Sequence, residues 1–306
     1  MTNAHREYQQ NYYDRTYPRR AAVVGQQLAH PLFRAFNDRL AGRVLDGVGP
    51  LHTPPVAPGP ATSPNATSAN GAAPVSSNGS GPRPLRIFEP ACGEGFLGAA
   101  LLRVARERGL DLHYAGADLS EAAVELARPV LGDDLVVGDA AEVMGGMAAA
   151  SADVVIVKNL LHHLVNPADV LREAARVVGP SGRIVILEGR LGCPHFMFLA
   201  ALAPKREKFY FYGTRRNRAA VADAGLTLVH QERFSFLPYE LFLQPRPDIM
   251  RRVFSTSDPA ALDRYRKIDD GLAKAMPWWA SYWVWVAAPD TSTAAAAGAA
   301  SGVNKT

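Results

Sequence analysis

The chain has 306 residues, of which 48% are hydrophobic and 20% are charged. This balance excludes a chain that is disordered or fibrous throughout, and the length allows one large domain or two small ones. The formal net charge of +4 is too small to indicate nucleic-acid binding by itself. Two cysteines cannot form a disulfide framework or a cysteine-based metal cluster.

Targeting signals are not visible in the sequence. The first residues are polar and lack the apolar core of a secretory signal. No run of about 18 apolar residues indicates a membrane-spanning helix. We therefore expect a cytoplasmic protein with no membrane span.

The composition divides the chain into segments. Residues 1–49 are predicted to form a helical cap, because apolar residues recur at helical spacing over Leu32–Leu45. Residues 50–84 are rich in Pro, Gly, Ser and Asn, and Arg83 is the single charged residue among them. Such a stretch cannot bury enough apolar surface to offset its ordering, so we predict a disordered linker there. The Ala-, Ser- and Thr-rich residues 289–306 are predicted to be a disordered tail.

Between residues 85 and 188, short apolar runs alternate with amphipathic helical segments. The predicted strands are Leu85–Glu89, Leu112–Ala117, Leu135–Val137, Asp153–Val157 and Arg183–Leu187. The predicted helices are Phe96–Arg108, Glu121–Leu131 and Pro167–Val178. This alternation predicts an α/β fold with a doubly wound, mostly parallel sheet. Such sheets bind ligands at the carboxyl ends of their strands.

After residue 188 the alternation is less regular. We predict a helix at Ala219–Ala224, a strand at Thr227–Phe236 and a helix at Pro259–Ala275. The aromatic and β-branched residues of Trp279–Ala288 predict a final strand.

A glycine loop follows the first predicted strand. Gly93, Gly95 and Gly98 satisfy the GxGxxG pattern, which alone suggests a dinucleotide site. However, Glu94 lies inside the loop, where it would repel a pyrophosphate at the helix N-terminus. Glu89 ends the strand at a place that normally stays apolar in dinucleotide-binding proteins. A carboxylate there suits the cationic part of a ligand, such as an ammonium group.

Five segments together resemble the motifs of class I S-adenosylmethionine-dependent methyltransferases. Glu89-Pro-Ala-Cys-Gly-Glu-Gly95 resembles the first motif, with Ala91 in place of its first glycine. The segments at 116–120, 138–141 and 153–164 resemble the second motif, the third motif, and the fourth strand with its following loop. Residues 171–182 resemble the approach to strand five, with Ser181 replacing a usual glycine. The resemblance implies a Rossmann-like, seven-stranded sheet whose last strand is antiparallel.

The resemblance also implies S-adenosylmethionine as the cofactor, S-adenosylhomocysteine as its product, and no metal. Asp118 would accept both ribose hydroxyls and Asp139 the adenine amino group. Tyr13 and Tyr17 lie in a tyrosine-rich segment that resembles a mobile cofactor lid, and either could donate to the methionine carboxylate. The implied cofactor-binding residues are Tyr13, Glu89, Ala91, Cys92, Gly93, Gly95, Asp118, Leu119, Asp139, Ala140, Asn159 and Leu160.

Simpler roles stay open for several of these residues. Asp118 could cap a helix, and Asp139 could be an ordinary loop acid. Glu89 could accept from backbone amides, and Tyr13 could pack under a helix. Cys92 suits a small buried residue better than a nucleophile.

Three residues are candidate bases. A phenol or alcohol acceptor must lose a proton, and a histidine can take it. His162 and His163 follow the fourth strand, at the edge where the methyl group should lie. Glu188, after strand five, faces the same edge. An amine acceptor could arrive neutral and need no base, and family members carry such a histidine pair without an acid–base role.

The acceptor class is predicted from two insertions, at residues 189–214 and 237–278. In the small-molecule branch of the family, insertions at these places build the acceptor pocket. We therefore expect O- or N-methylation of a small specialised metabolite. The interleaved basic and aromatic residues of Pro204–Arg218 allow an RNA-directed alternative. A third class comprises proteins of this fold that bind the cofactor without methylating: cyclases, decarboxylases and regulators.

Overall fold

The computed structural model describes residues 7, 10–11, 30–48, 83–190, 193–194, 213–236 and 258–290. Tyr13, most of the predicted linker 50–84 and most of both predicted insertions lie outside the described residues.

Seven strands form one sheet in the order β3-β2-β1-β4-β5-β7-β6. The strands are β1 Leu85–Glu89, β2 Leu112–Asp118, β3 Leu135–Val137, β4 Val154–Lys158, β5 Arg183–Gly189, β6 Leu226–Phe234 and β7 Tyr282–Pro289. Strands β1 to β5 pair in parallel, whereas β7 runs antiparallel to both β5 and β6. The predicted fold, a doubly wound, mostly parallel sheet with an antiparallel last strand, is confirmed.

The helices are α1 Pro31–Val48, α2 Phe96–Glu107, α3 Glu121–Leu131, α4 Ala140–Gly146, α5 Pro167–Val178, α6 Thr214–Asp223 and α7 Pro259–Ala275. A 3₁₀ turn, Leu161–His163, precedes α5. None of the helices in the described ranges is long and apolar enough to cross a membrane.

Local capping signals explain where several helices begin. The Ser120 side chain accepts from the Ala123 amide at the start of α3, and the Asp258 carboxylate accepts from two amides at the start of α7. Proline occupies the first position of both α5 and α7, where its missing N–H costs nothing. These three helices have their predicted bounds.

Several boundaries differ from the predictions, most of them by one or two residues. The largest difference is in α6, which begins at Thr214 instead of Ala219. The final strand begins at Tyr282 instead of Trp279, because residues 276–279 turn and the Trp279 amide donates to the Met276 carbonyl. At its other end β7 continues to Pro289, opposite Leu226 at the start of β6. The helix α4 was not predicted.

The sheet is buried on both faces. On one face α1 and α2 pack in a cluster that includes Phe36, Leu40 and Leu101. On the other face α5 and α6 pack in a cluster that includes Leu171 and Trp285. Burial on both sides explains why β4 and β5 are continuous apolar runs.

Ion pairs connect α1 to α7 and β6. Arg39 Nη1 lies 3.0 Å from Asp269 Oδ2, and Arg43 pairs with both Asp270 and Glu232. The Asp269 carboxylate is buried and also accepts from the Phe236 amide. Arg39 and Arg43 therefore each have carboxylate partners.

Asp153, just before β4, connects that strand to the chain that enters β1. Its carboxylate accepts from both Arg83 Nη atoms, at 2.6 and 2.7 Å, and from the Arg86 amide and guanidinium. Burial raises the pKa of Asp153, but the hydrogen bonds from Arg83 and Arg86 outweigh it and hold the pKa well below its ordinary range. Arg83, the one charged residue of residues 50–84, therefore anchors the end of that stretch.

Replacing Asp153 with Asn is expected to lower the free energy of unfolding at pH 7 by about 2–4 kcal/mol, since two guanidiniums lose their carboxylate. A depressed folded-state pKa gives stability that is present above the unfolded-state value near 4 and is lost as pH falls toward the folded-state value. The variant should therefore lose less stability than the wild type on acidification. Urea unfolding at pH 7 and pH 3 measures both effects.

The matched control is Asp133→Asn, because the Asp133 side chain is 98% exposed and lies 3.8 Å from its arginine partner. Its expected effect is within about 0.5 kcal/mol. Equal unfolding free energies for the Asp153 variant and the wild type would contradict the assignment.

Candidate active site at the carboxyl edge of the sheet

The carboxyl ends of four strands bring most of the predicted site residues to one edge. Glu89 ends β1 and Asp118 ends β2, and the two strands pair in parallel register. Asn159 follows β4, and Glu188 lies near the end of β5. The predicted residues therefore share one edge of the sheet, where this fold class binds ligands.

Asp118 holds the glycine loop against β2. Its Oδ2 accepts from the Gly93 amide at 2.8 Å, and its Oδ1 accepts from the Ser120 amide at 3.0 Å. Ser120 is the N-cap of α3. The capping role that the sequence allows for Asp118 therefore belongs to Ser120. A carboxylate has about four acceptor positions. Bonds to the loop are therefore compatible with bonds to a ligand.

Two loop glycines adopt left-handed backbone conformations, Gly93 at φ 53° and Gly95 at φ 79°. A Cβ atom at Gly95 would lie 2.7 Å from Leu131 Cδ1 of α3. At Gly98 it would lie 2.6 Å from Cζ of Tyr114. Close packing of Gly95 against α3 and of Gly98 against β2 therefore favours glycine at these two positions, independently of any ligand.

Gly95→Ala is expected to destabilise the protein by about 2–4 kcal/mol, since left-handed strain of about 1 kcal/mol adds to overpacking against Leu131. Gly109→Ala is the control, because Gly109 has φ 67° but no atom within 4 Å of an added Cβ. That variant should lose only about 1 kcal/mol. Thermal unfolding compares them, and equal losses would refute the packing contribution.

Asp139 caps α4. Its Oδ1 accepts from the Ala141 amide at 2.9 Å and from the Glu142 amide at 3.3 Å. The residue is buried, so it is not the solvated loop acid that was considered as an alternative. Contact of Asp139 with an adenine, beside Ala140, stays a prediction.

Glu89 is 1% exposed and accepts a hydrogen bond from the Tyr114 hydroxyl at 2.7 Å. Burial and then the Glu89 charge raise the pKa of Tyr114 well above its ordinary value, so the phenol keeps its proton. Glu89 thus has a side-chain partner in Tyr114. Its role as an acceptor for backbone amides stays a prediction. Tyr114 was not foreseen, because the contact depends on which residues of β1 and β2 pair.

Cys92 is buried beside the same carboxylates. Burial, followed by the negative charges of Asp118 and Glu89, raises the pKa of its thiol far above its ordinary value. The thiol is therefore neutral at pH 7 and unsuited to nucleophilic attack. This agrees with a packing role.

His162 and Glu188, which the sequence presented as separate candidate bases, form one pair. Glu188 Oε2 lies 2.7 Å from His162 Nδ1, and Glu188 Oε1 accepts from the Leu161 amide at 2.7 Å. Glu188 is 3% exposed, and the His162 side chain is 17% exposed. An ionised carboxylate can only accept, so a hydrogen bond between these two atoms places the hydrogen on Nδ1 and leaves Nε2 on the opposite side of the ring.

The turn that carries His162 is fixed by backbone bonds. The Asn159 amide donates to the Leu187 carbonyl at 2.8 Å, and Asn159 has a φ of 49°, which asparagine tolerates. The His163 amide donates to the Leu160 carbonyl, and its ring centre lies 4.2 Å from that of His162. The geometry of the Glu188 contact favours His162 over His163 as a base.

Among the residues that the structure describes, no group of three or more His, Cys, Asp or Glu residues is placed to hold a metal ion.

Residues 88–186 match the family model described as a methyltransferase domain. The comparison with curated proteins gave no significant match.

Solved structures share parts of the fold at low identity. A SAM-dependent methyltransferase from Archaeoglobus fulgidus is 15% identical, covering 67% of this chain and 86% of its own, with a TM-score of 0.45. Magnesium protoporphyrin IX methyltransferase from Synechocystis PCC 6803, solved with bound SAH, is 13% identical, covering 93% and 99%, with a TM-score of 0.49. Phosphoethanolamine N-methyltransferase 2 from Haemonchus contortus, solved with S-adenosyl-L-methionine, is 15% identical, covering 68% and 50%, with a TM-score of 0.43.

The strand order, the loop after β1 and the family match define a methyltransferase domain. The match covers 99 of the 306 residues, about a third of the chain. The cofactor that the sequence motifs imply is S-adenosylmethionine. The residues present fit it, because backbone amides, a left-handed glycine loop and the Asp118 carboxylate meet at one edge of the sheet.

Proposed function

We propose that this protein transfers a methyl group from S-adenosylmethionine to an oxygen or nitrogen atom of a small-molecule acceptor. The observation that carries the proposal is the His162–Glu188 pair at the edge where the cofactor-binding motifs lie. For an alcohol or phenol acceptor, His162 is the general base.

The cofactor-binding residues proposed here are those of the loop and the strand ends. Asp118 would bind the ribose, Asp139 and Ala140 the adenine, and Glu89 the cationic end of the methionine portion. The remaining proposed contacts come from Tyr13, Ala91, Cys92, Gly93, Gly95, Leu119, Asn159 and Leu160. When bound, S-adenosylmethionine supplies the electrophilic methyl group and its leaving group, so the protein mainly orients the acceptor.

The proton of the acceptor hydroxyl goes to Nε2 of His162. Glu188 keeps the ring in the tautomer whose Nε2 can accept, and its negative charge stabilises the imidazolium that forms. Its second oxygen is bonded to the Leu161 amide, which prevents the carboxylate from rotating away. Both oxygens of Glu188 therefore serve to position the base.

Two arginines in the described part of the basic segment bond within the protein. Arg216 Nη2 donates to the Val165 carbonyl at 3.3 Å, and Arg218 Nη2 donates to Gln231 Oε1. Both arginines are exposed, so the proposal of a small acceptor depends on the insertions and not on these bonds. We propose that the insertions at 189–214 and 237–278 enclose the acceptor.

Partition of a labelled methyl group tests the acceptor class. The full chain is incubated with methyl-labelled S-adenosylmethionine and a cell extract separated into bulk RNA and a small-molecule fraction. The proposal expects label in the small-molecule fraction, and for an alcohol or phenol acceptor this label depends on His162. Label recovered only in RNA would establish the RNA-directed alternative instead.

A further inference from the structure

Three large side chains lie in a row beside Glu188 at the carboxyl edge of the sheet. Arg190 directly follows β5, Trp283 lies on β7, and Arg233 lies near the end of β6. In the strand register Trp283 is opposite both Glu188 and Arg233. Residues paired across neighbouring strands share a face, so these side chains extend from the same face of the sheet as the base pair.

Both arginines stack on the tryptophan. The guanidinium carbons of Arg190 and Arg233 each lie 5.1 Å from the centre of the Trp283 ring. Cation–π contact of this kind holds a guanidinium in place without neutralising its charge. The indole is therefore a platform that brings two positive charges together.

Within the described ranges neither arginine has a carboxylate partner. Arg190 Nη1 donates to the Pro277 and Ala280 carbonyls, at 2.7 and 2.8 Å, which are neutral acceptors. Burial and then the charge of Arg233 lower the pKa of Arg190. The arginines of α1, by contrast, are matched by Asp269, Asp270 and Glu232. Arg190 is half-buried and Arg233 is exposed. Two adjacent guanidiniums with no carboxylate partner among the described residues favour an anionic ligand that solvent can deliver to Arg233.

The pair lies close to the candidate base. Trp283 is opposite Glu188, and Glu188 contacts His162. Neighbouring strands are about 4.8 Å apart, so the arginines lie roughly 5–15 Å from the base along the strand order. That span matches the length of a small aromatic acid.

We propose that Arg190 and Arg233 bind a carboxylate or phosphate of the acceptor, while the acceptor's hydroxyl meets His162. This rests on the proposed function and narrows its substrate class to small hydroxy acids or phosphates. The Trp283 ring orients both guanidiniums for the anion. Arg190 and Arg233 are specificity residues and take no part in proton transfer.

Binding of matched probes tests the proposal without methyl transfer. Dissociation constants are measured for the full chain with S-adenosylhomocysteine present. The probes are 4-hydroxybenzoate, 4-hydroxyphenyl phosphate and the neutral 4-hydroxybenzamide. At least one anion should bind the wild type about 10-fold or more tighter than the amide, since charge-assisted hydrogen bonds exceed neutral ones. The two anionic probes distinguish carboxylate from phosphate recognition.

Two variants separate anion binding from general packing. Arg233→Gln should abolish most of the preference for the anion and leave the dissociation constant of the amide within about 2-fold of the wild-type value. Arg233→Lys should restore part of the preference for the anion. The control is Arg218→Gln, which removes the same charge beside another tryptophan, 6.0 Å from the centre of the Trp285 ring. Its preference should match the wild type.

The proposal is overturned if no probe anion binds more tightly than the amide, or if the preference survives Arg233→Gln. Methyl transfer is read separately. Transfer without anion preference would reject this inference alone. Anion preference without transfer to any acceptor would reject the proposed function.

Discussion

His162→Ala is expected to lower kcat for an alcohol or phenol acceptor by about 10²- to 10⁴-fold, the usual contribution of general acid–base catalysis. The dissociation constant of S-adenosylhomocysteine should stay within about 2-fold, because the residue lies beyond the loop that is proposed to hold the cofactor. Steady-state turnover and calorimetric titration of the same preparations give both numbers.

Glu188→Gln extends this prediction to the positioning residue. A glutamine oxygen can still accept from the Leu161 amide, but its NH₂ group would face His162 Nδ1 and favour the tautomer whose Nε2 carries hydrogen. We expect kcat to fall about 10- to 10³-fold with little change in folding.

His163→Ala is the matched control, since its ring neighbours His162 but the Glu188 contact is made by His162. A much smaller loss is expected there, and His113→Ala, at an exposed position on β2, should have no effect. If His163→Ala costs as much as His162→Ala, or if neither changes turnover, the base assignment is wrong.

Asp118→Ala is expected to weaken S-adenosylhomocysteine binding by about 100-fold or more, because two ribose hydroxyls would lose a charged acceptor. The substitution also removes the carboxylate that accepts from the Gly93 and Ser120 amides. Part of the loss of ligand affinity therefore comes from disorder of the loop. Asp133→Ala, a fully exposed aspartate nearby in the sequence, is the control and should bind normally.

Unfolding of the unliganded Asp118 variant separates its two roles. A loss of ligand affinity larger than the loss of folding stability supports direct contact with the cofactor. Unchanged affinity in Asp118→Ala would exclude Asp118 from the cofactor site.

Local signals made much of the fold predictable. The helices α3, α5 and α7 have their predicted bounds because each begins at a capping residue or a proline that acts within one turn. The helix α4 was missed because it is short and ends in two glycines. Sequence reasoning offers a capping role for Asp118 but none for Asp139.

Long-range pairing explains what the sequence could not predict about the site. His162 and Glu188 are 26 positions apart, and the topology places both at one edge without specifying that they touch. The row of Arg190, Trp283 and Arg233 depends on antiparallel register, including an irregularity between Leu228 and His230 in β6. A one-residue shift would move Arg233 to the other face.

The most direct test of the central claim is the yield of S-adenosylhomocysteine when the full chain turns over S-adenosylmethionine with the small-molecule fraction that accepts label. We expect one mole of S-adenosylhomocysteine for each mole of methylated small molecule. In His162→Ala the formation of both products should be lost. Tight cofactor binding with no S-adenosylhomocysteine formed would contradict methyl transfer and indicate one of the non-methylating members of the fold.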